Sequence, residues 1–280
     1  MNTKINLAGV ELKNPVMTAS GTFGSGMEYS EFVDLNKLGA VVTKGVANVP
    51  WPGNPTPRIA ETYGGMINEI GLQNPGIDVF CERDIPFLKK YDTKIIVNVC
   101  GKSERDYVEV VERLAGEPVD MLEINISCPN VKEGGIAFGQ NAANIEHITK
   151  AIKNVAKQPV IMKLSPNVTD ITEMAKAAEA GGADVLSLIN TITGMKIDIN
   201  RQTFAVANKT GGLSGPAVKP VAVRMVYQVA NAVKIPIIGM GGIATAEDAL
   251  EFILAGATAV SIGTANFHNP RTTLEVIEGI

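Results

Sequence analysis

The stretch IIGMGGIATAEDALEFILAGATAVSIGT, residues 237–264, contains one complete unit of the predicted fold. A short apolar run, Ile237–Met240, leads through a glycine turn into an amphipathic helix predicted over Ala246–Leu254. A second apolar run, Ala259–Ile262, follows this helix. Apolar strands that alternate with helices indicate a parallel sheet with both faces covered. The stretch therefore predicts an α/β fold.

Six further apolar runs precede this unit, and amphipathic helical stretches separate most of them. The runs are Val16–Ala19, Ala40–Thr43, Ile95–Val99, Met121–Asn125, Val160–Leu164 and Val185–Ile189. The other predicted helices are Asp106–Leu114, Ile145–Ala156, Ile171–Ala180 and Val218–Ala232. Eight strand-helix repeats close a parallel sheet into a (β/α)8 TIM barrel, which typically needs about 250 residues. We therefore predict a single barrel domain over residues 1–280.

Additions to the barrel are predicted at both of its ends. Residues 5–16 alternate apolar and polar positions around Ala8-Gly9, which predicts an N-terminal β-hairpin that plugs the barrel floor. Residues 44–94, with one predicted helix, and residues 190–216 are longer than ordinary loops. Because barrels place their chemistry on the loops after the strands, these long loops mark the C-terminal face as the expected site.

Composition and charge argue against several functional classes. A net charge of −4 and scattered lysines and arginines provide no basic surface for nucleic acid. No apolar run approaches the ~18 residues of a membrane span, and Met1–Leu7 lacks the apolar region of a signal peptide. A cytoplasmic location is expected. The spacing of the three cysteines predicts neither disulfides nor a metal site.

Five predicted strands carry an amine or amide side chain at or near their carboxyl ends. These residues are Lys44, Asn98, Asn125, Lys163 and Asn190. Each one alone is as compatible with a structural role as with ligand binding, because an asparagine can cap a helix or turn and a lysine can reach solvent. Together they favour a planar ligand with carbonyl and N–H edges, such as a flavin or a pyrimidine. A lysine beside the N1/O2 edge of a flavin would stabilise the anionic reduced ring.

Glycine turns follow the last two predicted strands, at Gly241-Gly242 and Gly263-Thr264. Glycines let backbone N–H groups approach a phosphate, and a helix N-terminus adds further donors. Barrels commonly bind phosphate after strands seven and eight. The alternative is a purely structural turn.

Cys128 lies just beyond the fourth predicted strand, in polar and glycine-rich surroundings. Residues 131–139 after it are predicted to form a mobile lid. Lys132 or Lys44 nearby would lower the pKa of the thiol and make it usable as a base. Cys81 and Cys100 are instead predicted to be small buried apolar side chains.

Three motifs resemble those of the dihydroorotate dehydrogenases, specifically the soluble kind that uses cysteine. They are Asn125-Ile126-Ser127-Cys128-Pro129-Asn130, Asn68-Glu69-Ile70-Gly71-Leu72-Gln73-Asn74 and Ala207-Asn208-Lys209-Thr210-Gly211-Gly212-Leu213-Ser214-Gly215-Pro216. The resemblance covers essentially the whole chain. It implies that (S)-dihydroorotate is oxidised to orotate in de novo pyrimidine (UMP) biosynthesis. In this reaction Cys128 would take the C5 proton while the C6 hydride passes to N5 of FMN.

The resemblance also implies which residues bind the substrate and the cofactor. The substrate positions are Lys44, Asn68, Glu69, Ile70, Gly71, Leu72, Asn125, Asn130, Asn190 and Thr191. The FMN positions are Ala19, Ser20, Lys44, Gly45, Asn98, Asn125, Lys163, Ile189, Gly215, Gly241, Gly242, Gly263 and Thr264. Family members usually continue the last helix beyond the position of Ile280.

Residues 131–135 resemble the form that pairs with a second subunit carrying FAD and a [2Fe–2S] cluster, which passes electrons to NAD. This implies a heterotetramer built on a homodimer. The chain itself lacks ferredoxin-type cysteine spacing and an NAD-type GxGxxG motif. Three alternatives stay open. They are a dihydroorotate dehydrogenase that uses fumarate without a partner, a flavin-free isomerase or lyase for phosphorylated substrates, and a flavin-binding barrel that serves as an assembly or regulatory subunit.

Overall fold

Eight parallel strands form a closed barrel in the computed structural model, which describes residues 3–126 and 138–280. The barrel strands, numbered one to eight here, are Val16–Thr18, Ala40–Val42, Lys94–Val99, Met121–Asn125, Val160–Lys163, Val185–Leu188, Ile237–Met240 and Ala259–Ile262. Each strand pairs with the next, and strand eight pairs with strand one. Every predicted apolar run coincides with one of these strands to within one residue at each end, so the predicted barrel is confirmed.

Helices surround the barrel, with their apolar faces packed against the outer faces of the strands. The longer ones are Glu104–Leu114, Ala142–Val155, Ile171–Ala180, Lys219–Ala230, Ala246–Leu254 and Thr272–Gly279. All five predicted helices are among them. The first two begin earlier than predicted because Ser103 and Asn141 cap them, each accepting a hydrogen bond from a backbone N–H three residues on.

Shorter helical pieces occupy the loops. Residues 77–88 form one helical segment made of Ile77–Val79, a π-helical turn at Phe80–Asp84, and Ile85–Leu88. The remaining pieces are Tyr29–Glu31, Leu35–Lys37, Phe138–Gln140, Pro216–Val218 and Ala265–His268. No helix within the described residues is long and apolar enough to span a membrane.

The predicted N-terminal hairpin is present, with strands Ile5–Leu7 and Val10–Leu12. Leu7 and Leu12 are completely buried and join the apolar cluster formed by inward-facing barrel residues such as Met17 and Ile96. The hairpin therefore plugs the barrel floor as predicted, which closes the end opposite the strand carboxyl termini.

The two long segments after strands two and six pair with each other. They form a four-stranded antiparallel sheet in the order Ile192–Met195, Thr210–Ser214, Gly65–Asn68 and Ile59–Thr62. A small hairpin, Ile197–Asp198 with Thr203–Phe204, extends from it. The sheet was not predicted from sequence. Its central pairing joins Asn68 to Gly212. Because these residues are far apart in the sequence, no local sequence pattern predicts the pairing.

Above the apolar floor, the inward-facing positions of the barrel become polar. Five barrel strands contribute to this layer: Asn98, Glu123, Lys163, Ser187 and Ser261. All five side chains are buried. Because strand residues two apart share a face, these residues lie directly above the apolar interior positions of the same strands. The polar layer is the lower boundary of the candidate site.

Candidate active site

A cavity of about 860 Å³ opens at the C-terminal end of the barrel, with the four-stranded sheet as part of its wall. This volume is typical of sites for small molecules and cofactors. The wall includes the predicted substrate residues Lys44, Asn68, Ile70, Gly71, Leu72, Asn125, Asn190 and Thr191. It also includes the predicted cofactor residues Ala19, Ser20, Gly45, Lys163, Ile189, Gly215, Gly241, Gly242, Gly263 and Thr264. The structure thus brings most of the predicted residues together.

Two predicted residues do not lie on this wall. Glu69 faces away from the cavity because adjacent residues of an extended chain point to opposite sides, and its Oε1 accepts a hydrogen bond from the backbone N–H of Asn208 at 2.9 Å. Asn98 lies in the barrel interior below Gly45, which is part of the wall. Cys128 and Asn130 are outside the described residues, as is almost all of the predicted lid.

Glycines shape the end of the cavity where a phosphate is predicted to bind. Gly242 has a φ of +80°, and a β-carbon placed on it would lie 2.8 Å from the carbonyl oxygen of Gly215. Only glycine therefore allows these two turns to approach each other. On the neighbouring turn, the Thr264 hydroxyl donates to the Ser214 hydroxyl at 2.8 Å.

The helix that follows these turns offers fewer free N–H donors for a phosphate than predicted. The Asp248 carboxylate accepts hydrogen bonds from the N–H groups of Ala244 and Thr245, at 2.9 and 3.0 Å, as part of a capping box. These two donors are already used within the chain. Phosphate binding here would therefore rest on the glycine turns themselves.

A buried carboxylate, Glu123, organises the polar layer below the cavity. Its Oε2 accepts from Asn98 Nδ2 at 2.6 Å, and its Oε1 accepts from the Ser187 hydroxyl at 2.8 Å. Lys163 Nζ lies 3.8 Å from Glu123 Oε2 and donates to the Ser20 hydroxyl at 3.2 Å. Sequence analysis missed Glu123. The available signal was its position two residues before Asn125, which puts both on the inner face of strand four.

Comparison with known proteins identifies the family of the chain. The family model for dihydroorotate dehydrogenase matches residues 2–280. The chain belongs to the dihydroorotate dehydrogenase family. The predicted family is thereby confirmed.

Relatives that share one name are closely similar to this chain over its whole length. The catalytic subunit of dihydroorotate dehydrogenase B (NAD(+)) from Lachnoclostridium phytofermentans is 78% identical over 280 residues, which is all of this chain and 93% of the relative. The subunit of the same name from Alkaliphilus metalliredigens is 69% identical over the same coverage. A crystal structure of DHODH from Eimeria tenella in complex with ferulenol is 25% identical, with a TM-score of 0.82, and matches 99% of this chain and 83% of that one.

Asn167 and Gly212 hold the segment that carries Thr191 in place. Asn167 Nδ2 donates to the Thr191 carbonyl at 3.0 Å, and Asn167 Oδ1 accepts from the Thr193 N–H at 2.9 Å. A β-carbon on Gly212 would lie 1.9 Å from the Thr191 hydroxyl oxygen, so glycine is required for this close approach. Asn167 and Gly212 therefore position a predicted substrate residue, although sequence analysis assigned neither of them a role.

The two described cysteines, Cys81 and Cys100, are buried, as predicted. Burial is the main cause that raises the pKa of the Cys81 thiol to about 11, and the nearby negative charge of Glu117 is the second cause. Cys100 is completely inaccessible to solvent. Both thiols are therefore protected from reagents that need an accessible thiolate.

We expect iodoacetamide to leave Cys81 and Cys100 unmodified in the native protein at neutral pH, because a pKa of about 11 keeps Cys81 protonated. Peptide mass spectrometry, with protein unfolded in urea as the control, measures this directly. Cys81 labelling in the native protein at the rate seen in urea would contradict the placement of this thiol.

Proposed function

We propose that this chain is the catalytic subunit of an NAD-linked dihydroorotate dehydrogenase that oxidises (S)-dihydroorotate to orotate in pyrimidine biosynthesis. One observation carries the proposal: a single cavity is lined by most of the predicted substrate residues and most of the predicted cofactor residues. The names of relatives that are 78% and 69% identical support the same reaction.

FMN is the proposed cofactor, and the cavity suits it. Among the described residues, no partner is found for two buried polar atoms of the interior layer, Asn98 Oδ1 and Ser261 Oγ. A ligand with donor and acceptor edges would satisfy them. The turns at Gly241 and Gly242, with φ of +127° and +80°, suit a phosphate at the other end of the cavity. When bound, FMN supplies the acceptor for the two electrons that leave the substrate as hydride.

The roles of the chain's own residues follow from their chemistry. Asn68, Asn125 and Asn190 offer amides that both donate to and accept from a dihydropyrimidine ring. Lys44 supplies positive charge for the substrate carboxylate. The Tyr107 hydroxyl donates to the Asn125 carbonyl at 2.7 Å, which fixes the end of strand four from the outside. These residues hold the ring in one orientation. Holding the reacting carbons in a fixed position relative to the base and the hydride acceptor supplies a large part of the rate enhancement.

Cys128 is the proposed base. Its removal of the C5 proton, together with loss of the C6 hydride, leaves the C5=C6 double bond of orotate. The proton goes to the thiolate, and both electrons leave with the hydride. Part of the cavity wall around the proposed substrate position is formed by Asn68, Ile70, Gly71 and Leu72, together with Leu213 and Ser214.

Titration of the purified chain with FMN tests the cofactor. We expect one FMN to bind per chain, with quenching of FMN fluorescence and a shift in the visible spectrum when orotate is added. A colourless protein that takes up no FMN would favour the alternative of a flavin-free isomerase or lyase acting on a phosphorylated substrate.

A second subunit carrying FAD and a [2Fe–2S] cluster is the proposed electron acceptor, in a heterotetramer built on a homodimer of this chain. The support is the name shared by the close relatives, which contains both NAD(+) and "catalytic subunit". Co-expression with a candidate iron-sulfur flavoprotein should give NAD reduction by dihydroorotate. NAD reduction by this chain alone would contradict the proposal that a partner subunit is needed. Fumarate reduction by this chain alone would support the partner-free alternative.

A further inference from the structure

We propose that Glu123 is a positioning residue that holds Lys163 and Asn98 below the flavin and sets the flavin's reduction potential. This inference rests on the proposed FMN-dependent function. It concerns a residue that no motif singled out and that does not lie on the cavity wall. The role of Glu123 is inferred from its burial and from its contacts with Asn98, Ser187 and Lys163.

Glu123 occupies a position where a carboxylate is costly to bury. The side chains of Glu123 and Lys163 are 2% and 7% exposed, so both charges lie inside the barrel. Replacing a buried ion pair with apolar residues is often neutral or stabilising. A barrel interior can be filled with Val, Ile and Leu, as the layer below is filled with Ile96, Ile161 and Val185. Fold stability therefore gives no reason for a carboxylate at this position.

Glu123 determines the orientation of the Asn98 amide. An ionised carboxylate accepts hydrogen bonds and cannot donate them. The Asn98 amide must therefore turn its Nδ2 toward Glu123, at 2.6 Å, which directs its Oδ1 the other way. A β-carbon placed on Gly45, in the cavity wall, would lie 2.9 Å from this Oδ1. Glu123 thus makes Asn98 present an acceptor at the cavity floor, suited to a ligand N–H such as flavin N3–H.

Glu123 also lies beside the positive charge of Lys163. Its ammonium lies between the Glu123 carboxylate at 3.8 Å and the Ser20 hydroxyl at 3.2 Å, and both Lys163 and Ser20 are part of the cavity wall. A positive charge beside the flavin stabilises the reduced, anionic ring. The negative charge of Glu123 offsets part of the stabilisation that Lys163 gives to the reduced ring. The low dielectric of the barrel interior strengthens this influence of Glu123. Glu123 therefore lowers the potential that Lys163 alone would produce.

The test is the midpoint potential of bound FMN in Glu123→Gln, measured by equilibration with reference dyes at saturating FMN. The substitution keeps the size of the side chain and removes its charge. We expect the ratio of reduced to oxidised flavin at a given potential to rise at least tenfold, which is about 30 mV for a two-electron couple. The Asn98 amide is expected to turn over, so the FMN dissociation constant should also increase.

Two further variants separate charge from packing. Ser187→Ala removes one hydrogen bond to Glu123 and leaves the carboxylate in place, so it should change the ratio less than threefold. Glu123→Asp keeps the charge and moves it away from Lys163, so its shift should lie between those of the wild type and Glu123→Gln. The aspartate variant also keeps the test decisive if the glutamine variant fails to fold.

The outcomes distinguish this inference from the function it rests on. A folded, flavin-loaded Glu123→Gln protein with the wild-type potential would contradict the inference, as would an aspartate variant shifted as far as the glutamine variant. A wild-type chain that binds no FMN would instead contradict the proposed function.

Discussion

Dihydroorotate is expected to reduce the flavin of Cys128→Ala about 10² to 10⁴ times more slowly than that of the wild type, which is the usual contribution of a positioned general base. The C5 proton is not acidic enough to leave without an acceptor. Hydride loss from C6 builds positive charge unless that proton is removed. Orotate carries no C5 proton to be abstracted, so its dissociation constant should stay close to the wild-type value.

Anaerobic stopped-flow absorbance measures the bleaching of the flavin, and a spectral titration measures orotate binding in the same preparation. Cys81→Ala is the matched control because Cys81 is buried in the outer helical layer, away from the cavity. It should bleach at the wild-type rate. Equal bleaching rates in Cys128→Ala and the wild type would remove Cys128 from the mechanism.

Gly242→Ala is expected to raise the FMN dissociation constant about 100-fold. The added β-carbon would lie 2.8 Å from the Gly215 carbonyl oxygen and 2.8 Å from Lys219 Cβ, and the φ of +80° is unfavourable for alanine. The turns must separate, which moves backbone donors away from the phosphate. Losing one or two hydrogen bonds to a charged group costs about 3 kcal/mol, and each 1.4 kcal/mol changes a dissociation constant tenfold.

Equilibrium titration of the apoprotein with FMN measures this effect, and thermal unfolding of the apoprotein reports whether the fold survives. Gly116→Ala is the control, because nothing lies within 4 Å of a β-carbon there and its φ is not positive. It should bind FMN like the wild type. An unchanged FMN dissociation constant in Gly242→Ala would place the phosphate elsewhere.

The barrel was predictable because each of its strands is buried on both faces. Such strands appear in the sequence as continuous apolar runs, and glycine turns and amphipathic helices separate them. The same regularity placed Lys44, Lys163 and Asn125 near strand ends, where the structure has them on one cavity wall. The predicted bounds of Ile171–Ala180 and Ala246–Leu254 are those observed.

The parts that could not be predicted depend on contacts between distant residues. The sheet over the cavity pairs residues 66–68 with 212–214, and neither segment has a strong strand pattern of its own. The use of two N–H groups by Asp248 depends on the side-chain conformation at the start of the helix. Glu123 could have been placed on the inner face of strand four by the two-residue period. Its partners Asn98 and Ser187 come from strands three and six, and only the closed barrel brings them together.

The central claim is that this one chain binds FMN and dihydroorotate together and transfers a hydride between them. The most direct test is anaerobic addition of dihydroorotate to the purified, FMN-loaded chain without any partner or other electron acceptor. We predict that the flavin bleaches and that one orotate forms per FMN. A stoichiometrically loaded flavin that stays oxidised, with no orotate formed, would contradict the account.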